Sequence, residues 1–251
     1  MGQTVKPWRT FQPDGSPEDL VFDDRTLYEA VSGIAAAYPD YNAYDFMGTK
    51  ASYSEFLSSI NNTAIAFDSM GVRAGDVMTI CLPNCPQALF AFYALNKLGA
   101  TASMIHPLSI SEEIRTFLDI STSKWMLTLD AFWPRVAPAL EGSLVKKAVH
   151  CRIQEHMPAY LRTAFMITKG RKIKKVPSGP MVESWDNLLG SAGRDSLPLP
   201  AVSRDPRKMS VVLYSGGTTG TPKGIMPFGL EFQRPHPGPQ LAASRGSCTR
   251  G

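Results

Sequence analysis

The residues best suited to chemistry form one short stretch near the end of the sequence. It combines four glycines, three threonines, a serine, a proline and a lysine: Ser215, Gly216, Gly217, Thr218, Thr219, Gly220, Thr221, Pro222, Lys223 and Gly224. Glycines let a backbone approach a bulky anion, and successive backbone N–H groups can then form an anion-binding hollow. The hydroxyl groups add hydrogen-bond donors, and Lys223 adds a positive charge. The stretch therefore predicts a phosphate-binding loop.

Two common nucleotide-binding patterns do not fit this stretch. The Walker A pattern has glycine immediately before its lysine and serine or threonine after it. Here Pro222 precedes Lys223 and Gly224 follows it. Gly217 and Gly220 also lack the spacing of the dinucleotide-binding fingerprint. These differences disfavour a P-loop kinase or GTPase. The alternative is a flexible glycine-rich surface loop, which the preceding apolar run and the Pro-Lys-Gly ending disfavour.

Regular elements must position this loop, and the sequence predicts strands that alternate with helices. Short apolar runs predict buried strands at 77–82, 101–105, 124–129 and 209–214. The helix-type segments between them are about a dozen residues long, as in parallel βαβ units. The sequence therefore predicts an α/β fold with the candidate loop directly after a strand. By contrast, residues 177–206 are rich in Pro, Ser and Gly around Trp185, which predicts mainly a connecting loop.

Helix starts are marked by pairs of residues with the spacing of a capping box. Thr26 with Glu29, Ser52 with Glu55, and Ser109 with Glu112 each have this spacing. A further helix is predicted from Pro86 to Leu98, because proline is tolerated in a first helical turn. A fifth is predicted over 157–167 from apolar residues at helical spacing.

Three stretches of the chain resemble motifs of one family. Residues 214–224, Tyr-Ser-Gly-Gly-Thr-Thr-Gly-Thr-Pro-Lys-Gly, resemble the phosphate-binding signature of the adenylate-forming superfamily. This superfamily includes AMP-forming acyl-CoA synthetases, firefly luciferase and nonribosomal peptide adenylation domains. Residues 52–56 resemble its early helix-opening motif, and residues 95–100 through 106–108 resemble its second core motif. The likeness runs from about Leu27 to Met226. Gly216 stands where most members have serine, which removes one hydroxyl group and keeps the character of the loop.

The resemblance implies a two-step, AMP-forming ligase of the fatty acid–CoA type. A carboxylate attacks the α-phosphate of Mg·ATP to give an acyl-adenylate and pyrophosphate, and coenzyme A then displaces AMP. ATP, Mg²⁺ and coenzyme A are thus the implied cofactors and co-substrates. In such enzymes the loop at 215–224 holds the β- and γ-phosphates, and Lys223 offsets charge on the leaving pyrophosphate. The resemblance assigns no catalytic residue and no metal ligand within this chain.

The resemblance also implies a division of the chain. Residues 1–226 correspond to part of the AMP-binding N-terminal domain, so we expect an incomplete form of that fold. Residues 227–251 contain four Pro, four Gly and three Arg without helical or strand period, and are expected to be a divergent, disordered tail. A frameshift, an alternative end, a gene-model break or a natural tail would each account for this segment.

The chain also lacks several features that the superfamily carries elsewhere. These are the aromatic-Gly-x-Thr-Glu motif that binds magnesium, the ribose-binding aspartate and the catalytic lysine of a C-terminal domain. We therefore expect no independent ligase activity from these 251 residues. Two alternatives stay open, namely a non-catalytic nucleotide-binding module and a truncated product without function.

Composition excludes several classes of protein. With 43% hydrophobic residues the chain can bury a core, and its net charge of +4 does not indicate a nucleic-acid binder. Four irregularly spaced cysteines do not form a disulfide framework, so a reduced, cytoplasmic protein is expected. Neither Cys81 with Cys85 nor the group of His150, Cys151 and His156 has the partners of a zinc site.

One segment differs from the rest in charge. Residues 144–176 contain nine Lys and Arg against one acid, Glu155, and so carry +8. Such a basic stretch can contact an anionic membrane surface, which would make the protein peripheral at the membrane. The alternative, which we favour at this point, is a solvated helix and loop, because charge runs usually form solvated faces.

Overall fold

The computed structural model describes residues 25–194, 200–203, 205, 209–215 and 223–225. Seven α-helices lie in these residues: α1 (Leu27–Ala37), α2 (Tyr53–Ser69), α3 (Pro86–Leu98), α4 (Ser111–Ser121), α5 (Trp133–Leu140), α6 (Ala159–Thr168) and α7 (Trp185–Arg194). Nine strands lie in them as well: β1 (Asn42–Phe46), β2 (Thr49–Ser52), β3 (Val77–Cys81), β4 (Thr101–Met104), β5 (Trp125–Leu129), β6 (Lys147–Cys151), β7 (Val182–Ser184), β8 (Val211–Ser215) and β9 (Lys223–Ile225).

Seven of the strands form one sheet in the order β7-β6-β5-β3-β4-β8-β9. The strands from β7 to β8 run parallel, and β9 pairs antiparallel with β8 at one edge. The strands β1 and β2 form a separate antiparallel pair. Helices connect the parallel strands, as parallel pairing requires. The predicted α/β class with parallel βαβ layers is therefore confirmed.

Both faces of the large sheet are covered, and alternating residues of its strands point to opposite sides. Ile80, Leu127 and Val149 belong to a core shared with α1, α2, α3 and α7. Met126 and Ala148 belong to a second core shared with α4 and α5. This burial on both faces explains why the central strands consist mostly of apolar residues, as parallel strands usually do.

Two of the three predicted capping boxes are confirmed, and the third is wrong. Thr26 and Ser52 accept from the backbone N–H groups of Glu29 and Glu55, whose carboxylates accept in return. The helix α4 instead begins at Ser111, after Ile110. There Glu113 alone does the capping, because its carboxylate accepts from the Ile110 backbone N–H at 3.3 Å.

The predicted loop over 177–206 is wrong in its centre, where the chain forms β7 and α7. Trp185 is buried and meets the Phe67 ring edge-on, with ring centres 6.1 Å apart. Leu188, one helical turn later, is buried on the same side. The five prolines of 177–206 all lie outside Val182–Arg194, although two of the three glycines lie within it, so the composition of the whole segment concealed a short apolar helix face.

The membrane-spanning potential of the helices is low. Across the part of the chain that the structure describes, no helix has both the length and the apolar character needed to cross a bilayer.

Candidate phosphate-binding site

The candidate loop is attached to the sheet through two paired strands. Ser215 ends β8 and Lys223 begins β9, and the two residues are direct partners across the antiparallel pair. Gly224 pairs with Tyr214 one step further along. The structure thus places Ser215, Lys223 and Gly224 at one point of the sheet, whereas the predicted site residues 216–222 lie outside the described residues.

This point is the carboxyl end of β8, beside the carboxyl end of β4. The two strands are parallel, with Ala102 opposite Val211 and Met104 opposite Leu213. After β4 the chain crosses to β5, on the far side of β3, whereas after β8 it turns the other way into β9. Ligands of open α/β sheets bind where adjacent strands diverge in this manner, outside their carboxyl ends.

Residues of the stretch that resembles the second core motif hold the start of β8. Asn96 donates from Nδ2 to Ser210 Oγ at 3.2 Å, and its Oδ1 accepts from the backbone N–H of Tyr28 at 2.8 Å. Thr101 Oγ1 donates to the backbone oxygen of Met209 at 2.9 Å. The end of α3 and the start of β4 therefore fix the strand that leads into the candidate loop.

Gly99 allows Ser203 to approach the end of α3 closely. Its φ of +71° lies in the left-handed region, and it ends α3 at the C-cap. A Cβ atom at this position would lie 2.7 Å from Ser203 Oγ. The Ser203 backbone N–H also donates to the Lys97 carbonyl oxygen at 2.8 Å, so this part of the chain is held against the end of the helix.

The far end of β8 is held by Tyr214, the residue before Ser215. The hydroxyl groups of Tyr214 and Ser103 are hydrogen-bonded at 2.9 Å, which joins β8 to β4 through their side chains. The Tyr214 ring packs on Phe117 of α4, with ring centres 4.4 Å apart. These contacts set the position from which the loop leaves the sheet.

His106 lies at the neighbouring strand end. It follows β4 and directly precedes the turn at 107–108, and its Nδ1 accepts from the Leu108 backbone N–H at 3.2 Å. Its side chain is exposed at the same edge of the sheet as the carboxyl end of β8. The structure gives it a role in shaping the turn.

Lys97 is a buried cation behind this region. It has no exposed surface, and its Nζ donates to Asn61 Oδ1 at 2.8 Å and to the Tyr28 hydroxyl at 3.1 Å. Burial lowers the pKa of Lys97 to about 8. Burial also raises the pKa of Tyr28. Lys97 therefore joins the first three helices and takes no part in the candidate site at the carboxyl end of β8.

A separate cleft lies near β6 and β7. It has a volume of about 800 Å³, and its lining includes Asp130, His150, Arg152 and Asp186. Burial raises the pKa of Asp130 and lowers that of His150. Three strands, β5, β3 and β4, separate β6 from β8. This cleft is therefore separate from the candidate loop, and the sequence analysis did not identify it.

Arg152 links several residues near the carboxyl ends of β6 and β7. Its guanidinium group binds Glu155 at 2.7 Å and Asp186 at 2.5 Å, which joins the end of β6 to the start of α7. Its backbone oxygen accepts from Gln87 Nε2 at 3.1 Å. The signal that could have found this group is the position of Asp130, Arg152 and Asp186 within two residues of the ends of β5, β6 and β7.

The donor set near the candidate loop does not suit magnesium. No Asp or Glu occurs in the sequence between Asp205 and Glu231, and Mg²⁺ is usually held by carboxylates together with phosphates and water. Within the described residues, no group of three or more His, Cys, Asp and Glu side chains is placed to hold a metal ion. We therefore derive no step through a protein-bound metal here.

The chain is similar to known CoA ligases in sequence. It is 26% identical over 226 residues to the long-chain-fatty-acid–CoA ligase of Bacillus subtilis, which covers 89% of this chain and 40% of that protein. It is 26% identical over 208 residues to the crotonobetaine/carnitine–CoA ligase of Salmonella paratyphi A, covering 82% of this chain and 34% of that protein. The chain thus spans about two fifths or less of the length of these relatives.

The fold is similar to that of solved ligases as well. A long-chain-fatty-acid-CoA ligase from Archaeoglobus fulgidus matches with a TM-score of 0.64 at 20% identity, over 84% of this chain and 38% of that one. The family described as AMP-binding enzyme matches residues 32–227, which is most of the chain and includes the whole glycine-rich stretch. The chain therefore belongs to the AMP-binding enzyme family.

Proposed function

We propose that this chain provides the ATP-binding part of an AMP-forming acyl-CoA synthetase, with residues 215–224 holding the triphosphate. The observation that carries the proposal is the pairing of Ser215 with Lys223 at the carboxyl end of β8. It brings both ends of a stretch rich in glycine and threonine to the place where open α/β sheets bind ligands. The family to which the chain belongs supports the choice of a nucleotide as ligand.

The proposed chemistry has two steps. A carboxylate oxygen forms a bond to the α-phosphorus of ATP while the bond to the β-phosphate oxygen breaks, which releases pyrophosphate. The sulfur of coenzyme A then bonds to the acyl carbon, AMP leaves with the carboxyl oxygen, and the thiol proton passes to solvent. The role of the loop is to position the β- and γ-phosphates and to offset their charge through backbone N–H groups, hydroxyl groups and Lys223.

The proposed substrate is a fatty acid of medium or long chain. The Bacillus subtilis relative, a long-chain-fatty-acid–CoA ligase, supports this choice. The Salmonella relative acts on crotonobetaine or carnitine, so the feature that the two substrates share is the carboxylate. A cytoplasmic location is proposed because the described cysteines Cys81, Cys85 and Cys151 are free thiols and buried, as suits a reducing compartment.

Titration with ATP tests the loop. We expect the 251-residue chain to bind ATP in a calorimetric titration. Lys223→Ala should weaken binding at least tenfold, because a charged hydrogen bond contributes about 1.5–3 kcal/mol. Lys146→Ala is the matched control, since Lys146 is an exposed lysine just before β6 at the amino edge of the sheet. Equal ATP affinity in the two variants would show that the loop does not hold the triphosphate.

A second assay separates the enzyme from a simple nucleotide-binding module. Pyrophosphate release is measured with octanoate or palmitate, ATP and coenzyme A. We expect this chain to bind ATP without turnover, since the superfamily's acidic magnesium-binding motif does not occur in it. Turnover would show that these residues suffice for ligase activity. Absence of ATP binding would contradict both the enzyme and the binding-module hypotheses.

A further inference from the structure

The helix α6 differs from the other helices described because it has no fully buried residue. Leu161 and Phe165 are half-buried and form its inner side. On the other side, Tyr160 is 70% exposed and Ile167 is 58% exposed. These two residues are seven positions apart, and exposed Ala164 lies between them, so all three share one helix face. The helix therefore presents an apolar stripe to the solvent.

Cationic residues lie close to this stripe along the chain, one within α6 and five directly after it. Residues 156–182 contain no Asp or Glu, and their six cations are Arg162, Lys169, Arg171, Lys172, Lys174 and Lys175. The nearest acids along the chain are already paired with other cations. Glu183 binds Lys147 at 2.8 Å, and Glu155 binds Arg152 at 2.7 Å. None of the six cations forms an ion pair with a described residue, although Lys174 and Lys175 line the cleft near β6 and β7 that also contains Asp130 and Asp186.

We propose that α6 and the basic residues that follow it, 169–175, dock on a membrane surface containing anionic lipids. Tyr160 and Ile167 insert at the level of the headgroups, and the lysines and arginines contact lipid phosphates and carboxylates. An exposed apolar stripe flanked by cations is the pattern of an interfacial helix, and each nearby Lys or Arg adds about fivefold to the affinity. This property does not depend on the proposed ligase function.

Charge complementarity favours an anionic lipid surface over two other binding partners. A second copy of the chain would bring the same positive face against itself, and like charges repel. A nucleic acid would satisfy the cations and leave the aliphatic side chain of Ile167 without a suitable partner. A lipid surface satisfies both the charges and the apolar stripe.

Co-sedimentation with vesicles tests the proposal. The 251-residue chain is mixed with phosphatidylcholine vesicles with or without about 30% phosphatidylserine, at low and high salt. We expect binding only with phosphatidylserine and at low salt. Arg171→Gln with Lys172→Gln, two exposed cations outside the cleft near β6 and β7, should weaken it about 25-fold, since two charges are removed. Tyr160→Ser with Ile167→Ser should also weaken it at least fivefold, without changing the salt dependence.

A matched control removes two charges elsewhere. Arg135→Gln with Lys146→Gln lowers the net charge equally at exposed positions on α5 and before β6, and should leave vesicle binding within twofold. All substituted residues are exposed, and circular dichroism with thermal unfolding checks that the variants fold. Three results would overturn the proposal: no vesicle binding by the parent chain, equal loss in the control variant, or binding that is unchanged by the Tyr160 and Ile167 substitutions. Duplex DNA binding in place of vesicle binding would assign the surface to nucleic acid.

Discussion

The ammonium group of Lys97 lies 4.7 Å from the centre of the Tyr28 ring. Lys97 belongs to α3 and Tyr28 to α1, and the Asn61 amide oxygen on α2 completes the contact. The described residues provide no carboxylate partner for this charge. A ring face and two neutral oxygens thus stabilise a cation that is removed from water. Burying the charge with these neutral partners costs more free energy than burying it beside a carboxylate would.

The stability of the protein should therefore respond to pH through Lys97. Burial lowers its pKa to about 8 from 10.5, so the unfolded chain holds more protons than the folded one between these values. The cost of burying the charge is fully present below about pH 8 and disappears as the pH rises toward 10.5. We expect the stability advantage of Lys97→Met over the parent, measured by urea unfolding, to be largest near neutral pH and to shrink in alkali.

The comparison between variants is needed because burial raises the pKa of Cys81 to about 11, which acts in the opposite direction at high pH. Lys146→Met is the control, because Lys146 is exposed. If Lys97→Met and the parent change equally with pH, Lys97 titrates like an exposed lysine and the argument fails.

Asn96 should contribute strongly to stability because it bonds to both α1 and the start of β8. Asn96→Ala leaves the buried Tyr28 backbone N–H without its acceptor, which should cost about 2–3 kcal/mol in urea unfolding. Ser210→Ala keeps the Asn96 acceptor for Tyr28 and removes the acceptor of the Asn96 amide N–H, so a smaller cost is expected. Equal costs for the two variants would mean that the bond to Tyr28 contributes little.

Gly99→Ala should be more harmful than Gly75→Ala, although both glycines have positive φ. At Gly75, with φ +85°, nothing lies within 4 Å of an added Cβ, so the cost is only the backbone strain of about 1–2 kcal/mol. At Gly99 the added atom would also meet Ser203 Oγ at 2.7 Å. In thermal unfolding, Gly99→Ala should have a lower melting temperature than Gly75→Ala. Adding Ser203→Gly to Gly99→Ala should raise the melting temperature to that of Gly75→Ala. No recovery would rule out the clash.

Asp76 should make the protein sensitive to acid. Burial alone would raise its pKa, but hydrogen bonds from Lys124 Nζ at 2.6 Å and the Arg73 backbone N–H at 2.9 Å outweigh this and lower the pKa. The stabilisation is present above the ordinary value of 3.8 and is lost as the pH falls through the folded pKa. Asp76→Asn should lower the free energy of unfolding at pH 7 by about 1–2 kcal/mol, with the difference closing in acid.

The exposed Asp40 provides the comparison for that measurement. Asp40→Asn should change stability by less than about 0.5 kcal/mol at any pH in this range. A difference between Asp76→Asn and the parent that persists unchanged in acid would show that the charge of Asp76 is not what stabilises this corner of the sheet.

Elements with local signals could be predicted from the sequence. The helix α3 has the predicted bounds, Pro86 and Leu98, because proline in the first turn and Gly99 after the last are both local. The strand β6 was not predicted because it lies in a segment whose main sequence feature is positive charge, beginning at Lys146 and Lys147. In the structure, Ala148, Val149 and Cys151 are buried between neighbouring strands. Strand order is set by such long-range packing, which a local pattern does not contain.

The candidate site shows the same division. The glycine-rich stretch is a local pattern, and its placement after a strand follows from the apolar run that precedes it. The bond between Asn96 and Ser210 joins residues 114 positions apart, so no spacing rule could have predicted it. The group around Arg152 was missed for the same reason, since it forms only when three strand ends meet.

The strand order also has a consequence for synthesis on the ribosome. Each strand of the large sheet that follows β3 pairs with one that precedes it in the chain: β4 and β5 with β3, β6 with β5, β7 with β6, β8 with β4, and β9 with β8. The growing chain can therefore extend the sheet strand by strand as it emerges. Among the described strands that gain a later partner, β4 waits longest, because its outer edge stays open from Met104 until Val211 has been made. During that interval the β4 edge is where a chaperone would protect the nascent protein from pairing with another chain.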